Sequence, residues 1–225
     1  MKARTFLFTS VTMILMAIIP NVAKAQDPFK NLTKNEAVRT FKVPDIVDFV
    51  TVFLSETEDE LRGSIAPEWQ KYLKNEKLSK GVTITVDKKN GYVRYEMDED
   101  VANPKNKTGY KSYVEYCYWN CADGTHKLFA ENCGITQNGK AVFTEFSGLY
   151  IYAYDNATQK LFRIDQNLLG INDEMHGEVT FALPRVGKDI EVSIINGEKT
   201  TQKKLVWNGK GFNLKENKGF TPKNK

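Results

Sequence analysis

The feature that most constrains this chain is a change of hydrophobic period at Val82. Before it, Ile46, Phe49, Val50, Phe53, Leu54 and Leu61 recur at spacings of three, four and seven, the signature of a helix with one apolar stripe. After it, short β-type runs alternate polar with apolar residues and are cut by turn residues. A chain that makes this switch once predicts an α+β protein, an N-terminal helical arm followed by a predominantly antiparallel β-sheet. Meander, sandwich and partial propeller-like arrangements all fit that pattern.

The helix is expected to start near Pro44 and Asp45, with Asp45 as cap and Asp48 in the first turn. Gly63 is expected to break it, and Pro67 to open a second short helix carrying Trp69, Tyr72 and Leu73. Strands are predicted at 82–87, 92–97, 113–121, 128–133, 140–146, 149–155 and 160–165, then at 178–183, 189–195, 203–207 and 211–214. Lys88-Lys89-Asn90-Gly91, Asn138-Gly139, Asn196-Gly197 and Asn208-Gly209 supply turns. In the 92–97 strand, Val93, Tyr95 and Met97 fall on one face and Tyr92, Arg94 and Glu96 on the other. Lys127-Leu128-Phe129 is echoed by Lys160-Leu161-Phe162, a recurrent hairpin with too few copies for a closed propeller.

The first 25 residues read as an export signal. Lys2 and Arg4 are followed by an uncharged, largely apolar run from Phe6 to Ile19 and a small-x-small site at Ala23-Lys24-Ala25. That run is shorter than the roughly 20 apolar residues of a spanning helix and is closed by Pro20. The organisation expected is a leader at 1–25 and a helical arm at 26–80. A β domain at 81–215 follows, with a sub-boundary at 166–177, and a basic flexible tail at 216–225. The mature chain is then expected to start at Gln26, to have no transmembrane segment and to work in a secreted or periplasmic setting.

Charge follows from the same cut. Losing Lys2, Arg4 and Lys24 leaves 29 of the 32 basic residues against 28 acidic ones, so the formal charge falls from +4 to +1. The clustered positive surface that a nucleic-acid partner requires is therefore not expected.

Three cysteines, Cys117, Cys121 and Cys133, enter an oxidising compartment. With a five-residue loop at 123–127, Cys117 comes opposite Cys133. That pair is the first disulfide candidate, Cys121 with Cys133 the second, and three buried thiols the alternative. Aromatic residues are the other notable feature. Tyr150, Tyr152 and Tyr154 share one face by alternation, and with Trp119 they form a candidate platform for an extracytoplasmic glycan, peptide or protein. The same rings would equally serve as a sheet face beneath the helical arm.

Catalytic chemistry is thinly provided. His126 and His176 are the two histidines, both in expected loops. No nucleophile elbow, phosphate loop or zinc-protease motif is present. His126 lies close in sequence to Cys121, and His176 to Asp173 and Glu174, so a hydrolase-type enzyme built on either histidine is the alternative reading. Metal candidates are His126 with Cys121 and Cys133, and the acidic run Glu96, Asp98, Glu99 and Asp100. Neither has the spacing of a zinc or calcium site, so no metal and no cofactor is expected.

The leader, the helical arm, the run Tyr116-Cys117-Tyr118-Trp119-Asn120-Cys121-Ala122-Asp123-Gly124 and the ending Leu205-Val206-Trp207-Asn208-Gly209-Lys210-Gly211-Phe212 together resemble uncharacterised secreted or periplasmic β-rich proteins of Gram-negative bacteria. The ending is similar to the last strand pair of propeller-type blades. The resemblance carries no catalytic residue. It implies an accessory or binding role, and the expectation is an exported, non-catalytic binding or envelope-associated structural protein.

Overall fold

A computed structural model describes residues 45–55, 60–101, 107–164 and 178–216, together with Phe29, Arg39–Thr40, Lys42 and Lys105. The order is β1 (Arg39–Thr40), α1 (Ile46–Ser55), α2 (Glu60–Leu73), β2 (Val82–Asp87), β3 (Tyr92–Asp98), β4 (Tyr110–Asn120), β5 (His126–Gln137), β6 (Lys140–Val142), β7 (Gly148–Asp155) and β8 (Lys160–Arg163). A second group follows: β9 (Glu178–Ala182), β10 (Ile190–Asn196), β11 (Lys199–Trp207) and β12 (Phe212–Glu216). The leader, His176 with Asp173 and Glu174, the expected sub-boundary and nearly all of the tail lie outside the described residues.

Every strand pairing among the described residues is antiparallel. The first sheet runs β1-β8-β7-β5-β4-β3-β2, and β6 pairs with the far end of β5 beyond the point where β7 stops; the second runs β12-β11-β10-β9. The helices lie on one face of the first sheet and the second sheet lies on the other. Alternation sorts the side chains accordingly. Val93, Tyr95, Val114, Tyr116, Phe129, Tyr152 and Tyr154 join Ile46, Phe49, Phe53 and Trp69 in one core. Tyr92, Cys117, Trp119, Leu128, Ala130 and Ile151 join Ile190, Val192, Leu205 and Phe212 in the other. The chain is thus α+β, two helices followed by antiparallel sheets, with no closed barrel among the described residues.

The start of α1 follows the sequence closely, because Asp45 Oδ1 accepts from Val47 N–H at 2.7 Å and the Asp48 carboxylate returns to Asp45 N–H at 3.2 Å. The second helix departs from expectation. It begins at Glu60 and runs through Gly63 and Pro67. Pro67 lacks the N–H that would meet the carbonyl of Gly63 four residues earlier, a defect worth about 3 kcal/mol in an isolated helix. Tertiary anchoring offsets it: Ile65 and Trp69 are fully buried against the sheet, and Trp69 Nε1 donates to Thr51 Oγ1 of α1 at 2.9 Å.

The β4–β5 register also differs, and with it the cysteine pairing. Asn120 pairs with Lys127, Cys117 with Ala130 and Val114 with Cys133, a three-residue shift from the expected alignment. The turn is tighter because Asp123 Oδ1 accepts from the N–H groups of Thr125 (2.9 Å) and His126 (3.0 Å). An odd shift reverses every side chain. Cys117 therefore faces the second sheet and Cys133 the helices. The expected Cys117–Cys133 disulfide does not form, and no disulfide is present among the described residues.

The Lys-Leu-Phe echo ends differently at its two sites. Leu128 faces the second sheet whereas Leu161 faces the helices, so the two copies are out of phase and do not repeat a structural unit.

Candidate functional site

The expected aromatic platform is covered. Tyr152 and Tyr154 are 4% and 2% exposed beneath α1, with Phe53 edge-on to Tyr152 (5.3 Å) and Phe49 edge-on to Tyr154 (5.5 Å). Tyr150, half-buried at the strand start, lies under the Arg163 guanidinium at 5.3 Å. Trp119 faces the opposite side, 3% exposed between the sheets, its Nε1 donating to the Lys188 carbonyl at 2.9 Å. These four residues are therefore not brought together. The rings of Tyr152, Tyr154 and Trp119 act as core, because each sheet face is already claimed by a packed layer.

The thiols are likewise enclosed. Burial pushes both Cys117 and Cys121 up to about 12, so neither is a thiolate at neutral pH. His126 Nδ1 is engaged by Asp123 Oδ2 at 2.7 Å and Thr125 Oγ1 at 3.0 Å, and its ring stacks on Phe29 at 4.4 Å. Although burial opposes it, the bonds from His126 and the turn amides hold the Asp123 carboxyl near 2. The imidazole thus belongs to a turn, and Cys121 to the core beneath it. Expected in consequence is slow thiol chemistry. With Ellman's reagent at pH 8, none of the three cysteines should label in the dead time of the native protein and all three should in denaturant; one fast native thiol would contradict this packing.

The acidic run is spent on loop closure. Asp100 accepts from Thr108 N–H, Thr108 Oγ1 and Gly109 N–H, while Glu96 pairs with Arg94 and Lys111. Among the described residues no group of three or more His, Cys, Asp or Glu is placed to hold a metal ion.

What sequence reasoning missed is a pair of buried carboxylates in the middle of the first sheet, back to back on its two faces. Glu115 (3% exposed) faces the second sheet. Its Oε1 accepts from Tyr92 Oη and Arg94 Nη1, both at 2.8 Å, and its Oε2 from Asn132 Nδ2 at 2.9 Å and Leu183 N–H at 3.0 Å. Glu131 (1% exposed) faces the helices and is gripped by both arms of Arg62, with Tyr116 Oη at 3.2 Å. Burial works against the Arg62 charge, but Glu131 more than offsets it and holds the guanidinium above its ordinary value. Each carboxylate ties an outer layer to the central sheet. The available signal was Glu115 standing on the same strand face as Tyr113, Cys117 and Trp119, where an unpaired acid would be very costly.

Beside the Glu115 network a cavity of about 220 Å³ opens where edge strand β9 and its neighbour β10 meet the far end of β4, β5 and β6. Arg94, Tyr113, Thr136, Thr180, Glu191 and Ser193 supply its polar groups, in a lining that is on balance more apolar than polar. Arg94 lies over the Tyr113 ring at 4.2 Å, and Tyr113 Oη reaches the Phe181 carbonyl at 3.4 Å. The Tyr113 phenol is pushed up to about 12, first by burial and then by Glu115, so it is a neutral donor. Three aliphatic hydroxyls, two aromatic residues and one charge of each sign line a space below the roughly 300 Å³ of a drug-sized pocket. Such a space accommodates one small polar unit, a single sugar ring or one amino-acid side chain.

Among the described residues no helix is long and apolar enough to cross a membrane. Compared with known protein families, curated proteins and solved structures, the chain matches none.

Proposed function

We propose that this chain is an exported, non-catalytic binding protein of the cell envelope or its surroundings, taking a small neutral saccharide unit in the cleft beside β9. The observation that carries the reading is how the reactive groups are distributed. The described thiols sit in packed cores, His126 in a turn, and Glu115 and Glu131 in closed ionic networks, while hydroxyls and one stacked Arg–Tyr pair face the cleft. Hydroxyl and amphipathic aromatic groups suit a ligand that presents both hydroxyls and a weakly apolar ring face. The export signal supports the compartment in which such ligands are met.

The test is calorimetry of the purified protein against glucose, N-acetylglucosamine and maltose, with Ser193→Trp as the variant that fills the cleft. Saturable binding to at least one sugar at millimolar concentration or below is expected, weakened about tenfold or more by the variant. Absence of binding to all three by a folded protein, or binding indifferent to Ser193→Trp, overturns the ligand assignment. The compartment is tested separately by N-terminal sequencing of the accumulated protein: a start at Gln26 in the extracytoplasmic fraction supports export, and an intact Met1 in the cytosol refutes it.

A further inference from the structure

Independently of the cleft, the open edge of the first sheet carries a second inference. Among the described residues, strand β2 ends that sheet and has β3 on one side only. Asp98 N–H donates to the Gly81 carbonyl at 2.9 Å, and Tyr118 N–H to the Gly91 carbonyl at 3.2 Å. With the registers Val82↔Met97 and Tyr92↔Cys117, antiparallel alternation turns the backbone groups of Thr83, Thr85 and Asp87 toward β3. Those of Val82, Ile84 and Val86 point outward. Val82 N–H is taken by the Ser79 carbonyl at 3.1 Å. The N–H and C=O of Ile84 and Val86 and the Val82 carbonyl meet no partner among the described residues.

The residues of this edge are Val82-Thr83-Ile84-Thr85-Val86, a sequence that reads the same in both directions. We propose that β2 pairs antiparallel with β2 of a second copy about a two-fold axis through Ile84, joining the two first sheets into one. The outward geometry fits this register. The two Ile84 residues exchange both backbone bonds, and each Val86 N–H meets the Val82 carbonyl of the other copy. Like side chains then stand opposite each other, Val against Val and Ile against Ile on the helix face, Thr against Thr on the other, as a self-complementary interface requires.

Three further observations favour this occupant. From Val82 to Val86 the strand contains none of the usual guards of an open edge, neither a charged residue nor proline nor a bulge. Val82, Ile84 and Val86 pack against the helix-side core yet stay only half-buried, leaving apolar flank for a second copy to cover. Lys80 and Lys88, which would face each other in this register, leave the strand line first: Gly81 turns the chain at φ 85°, and Lys88 lies in the β2–β3 turn, paired with Asp45 at 3.4 Å.

Sedimentation velocity on the protein recovered from expressing cells, from about 1 to 200 μM, is the test. A concentration-dependent dimer is expected. Thr83→Lys with Thr85→Lys sets lysine opposite lysine at both positions and should weaken dimerisation about tenfold or more, whereas Thr83→Lys with Thr85→Glu sets opposite charges together and should preserve it. Hydrogen exchange on the unaltered protein gives a reading that needs no variant: the Ile84 and Val86 amides should slow as concentration rises. A protein monomeric at 200 μM, a dimer indifferent to the two charge patterns, or Ile84 and Val86 amides whose exchange does not depend on concentration would overturn the proposal. So would an assembly that forms only with a different protein on this edge.

Discussion

Replacing Glu115 with alanine is expected to lower stability by about 3 to 5 kcal/mol, the cost of breaking a buried ion pair from one side. A domain of this size is typically stable by roughly 5 to 15 kcal/mol, so the loss is a large part of the whole. At roughly 2 to 4 °C per kcal/mol, the melting temperature should fall by about 6 to 20 °C. The reason is an accounting of donors. Tyr92 Oη, Arg94 Nη1, Asn132 Nδ2 and Leu183 N–H all aim at this one carboxylate. Glu115→Gln is not a neutral replacement either. Its amide nitrogen must face either Arg94, which has no acceptor, or the Leu183 N–H and an Asn132 amide whose other hydrogen already reaches the Phe181 carbonyl at 2.8 Å. About 1 to 3 kcal/mol of loss is expected for glutamine. The comparison that isolates the effect is Glu191→Ala, which breaks an exposed pair with Lys204 worth about 1 kcal/mol or less. Equal melting temperatures for the Glu115 and Glu191 variants would show that the buried network is not what joins β9 to the central sheet.

Phe129→Ala should cost about 3 to 5 kcal/mol through a different mechanism, an unfilled cavity. Phe129 is fully buried at the centre of the helix-side core. Its ring stacks on Phe49 at 5.0 Å and Tyr116 at 5.9 Å, and meets Phe53 at 5.2 Å and Tyr152 at 6.2 Å. Because α1 has only ten residues, it is too short to be stable as a helix in isolation and depends on this packing. Thermal unfolding followed by circular dichroism should show the drop in melting temperature. Phe146→Ala is the matched control, since that ring is 70% exposed and its loss should change stability by no more than about 0.5 kcal/mol. A Phe129 variant as stable as the Phe146 variant would mean that the helical layer is held by something other than this aromatic cluster.

Much of the fold was legible because local rules and global packing agree. Val82–Asp87 was read to the residue, and the faces of β3 fell where alternation put them, Val93 and Tyr95 toward the helices and Tyr92 toward the second sheet. The turn Asn138-Gly139 was readable because both residues take positive φ, 50° and 80°, which few other residue pairs adopt cheaply. The candidate site was hardly legible. Aromatic alternation at Tyr150, Tyr152 and Tyr154 is the same for a wet platform and for a buried face, since period alone does not say what lies above a sheet. The cleft gathers Arg94 from β3 and Ser193 from β10, some hundred positions apart in the chain, so no spacing could reveal it.

The sequence by itself determined most of the segments that become helix or strand, where most turns fall and which side chains share a strand face, because those depend on backbone preference and on periods of 3.6 and two. The tertiary structure alone decided the β4–β5 register, and through it the separation of Cys117 from Cys133. It also decided the survival of a helix through Pro67 and the pairing of Glu115 and Glu131 with arginines from other elements. Each of these turns on a competition between a local preference and the free energy of burying a group against a distant partner. Only the packed layers supply that partner.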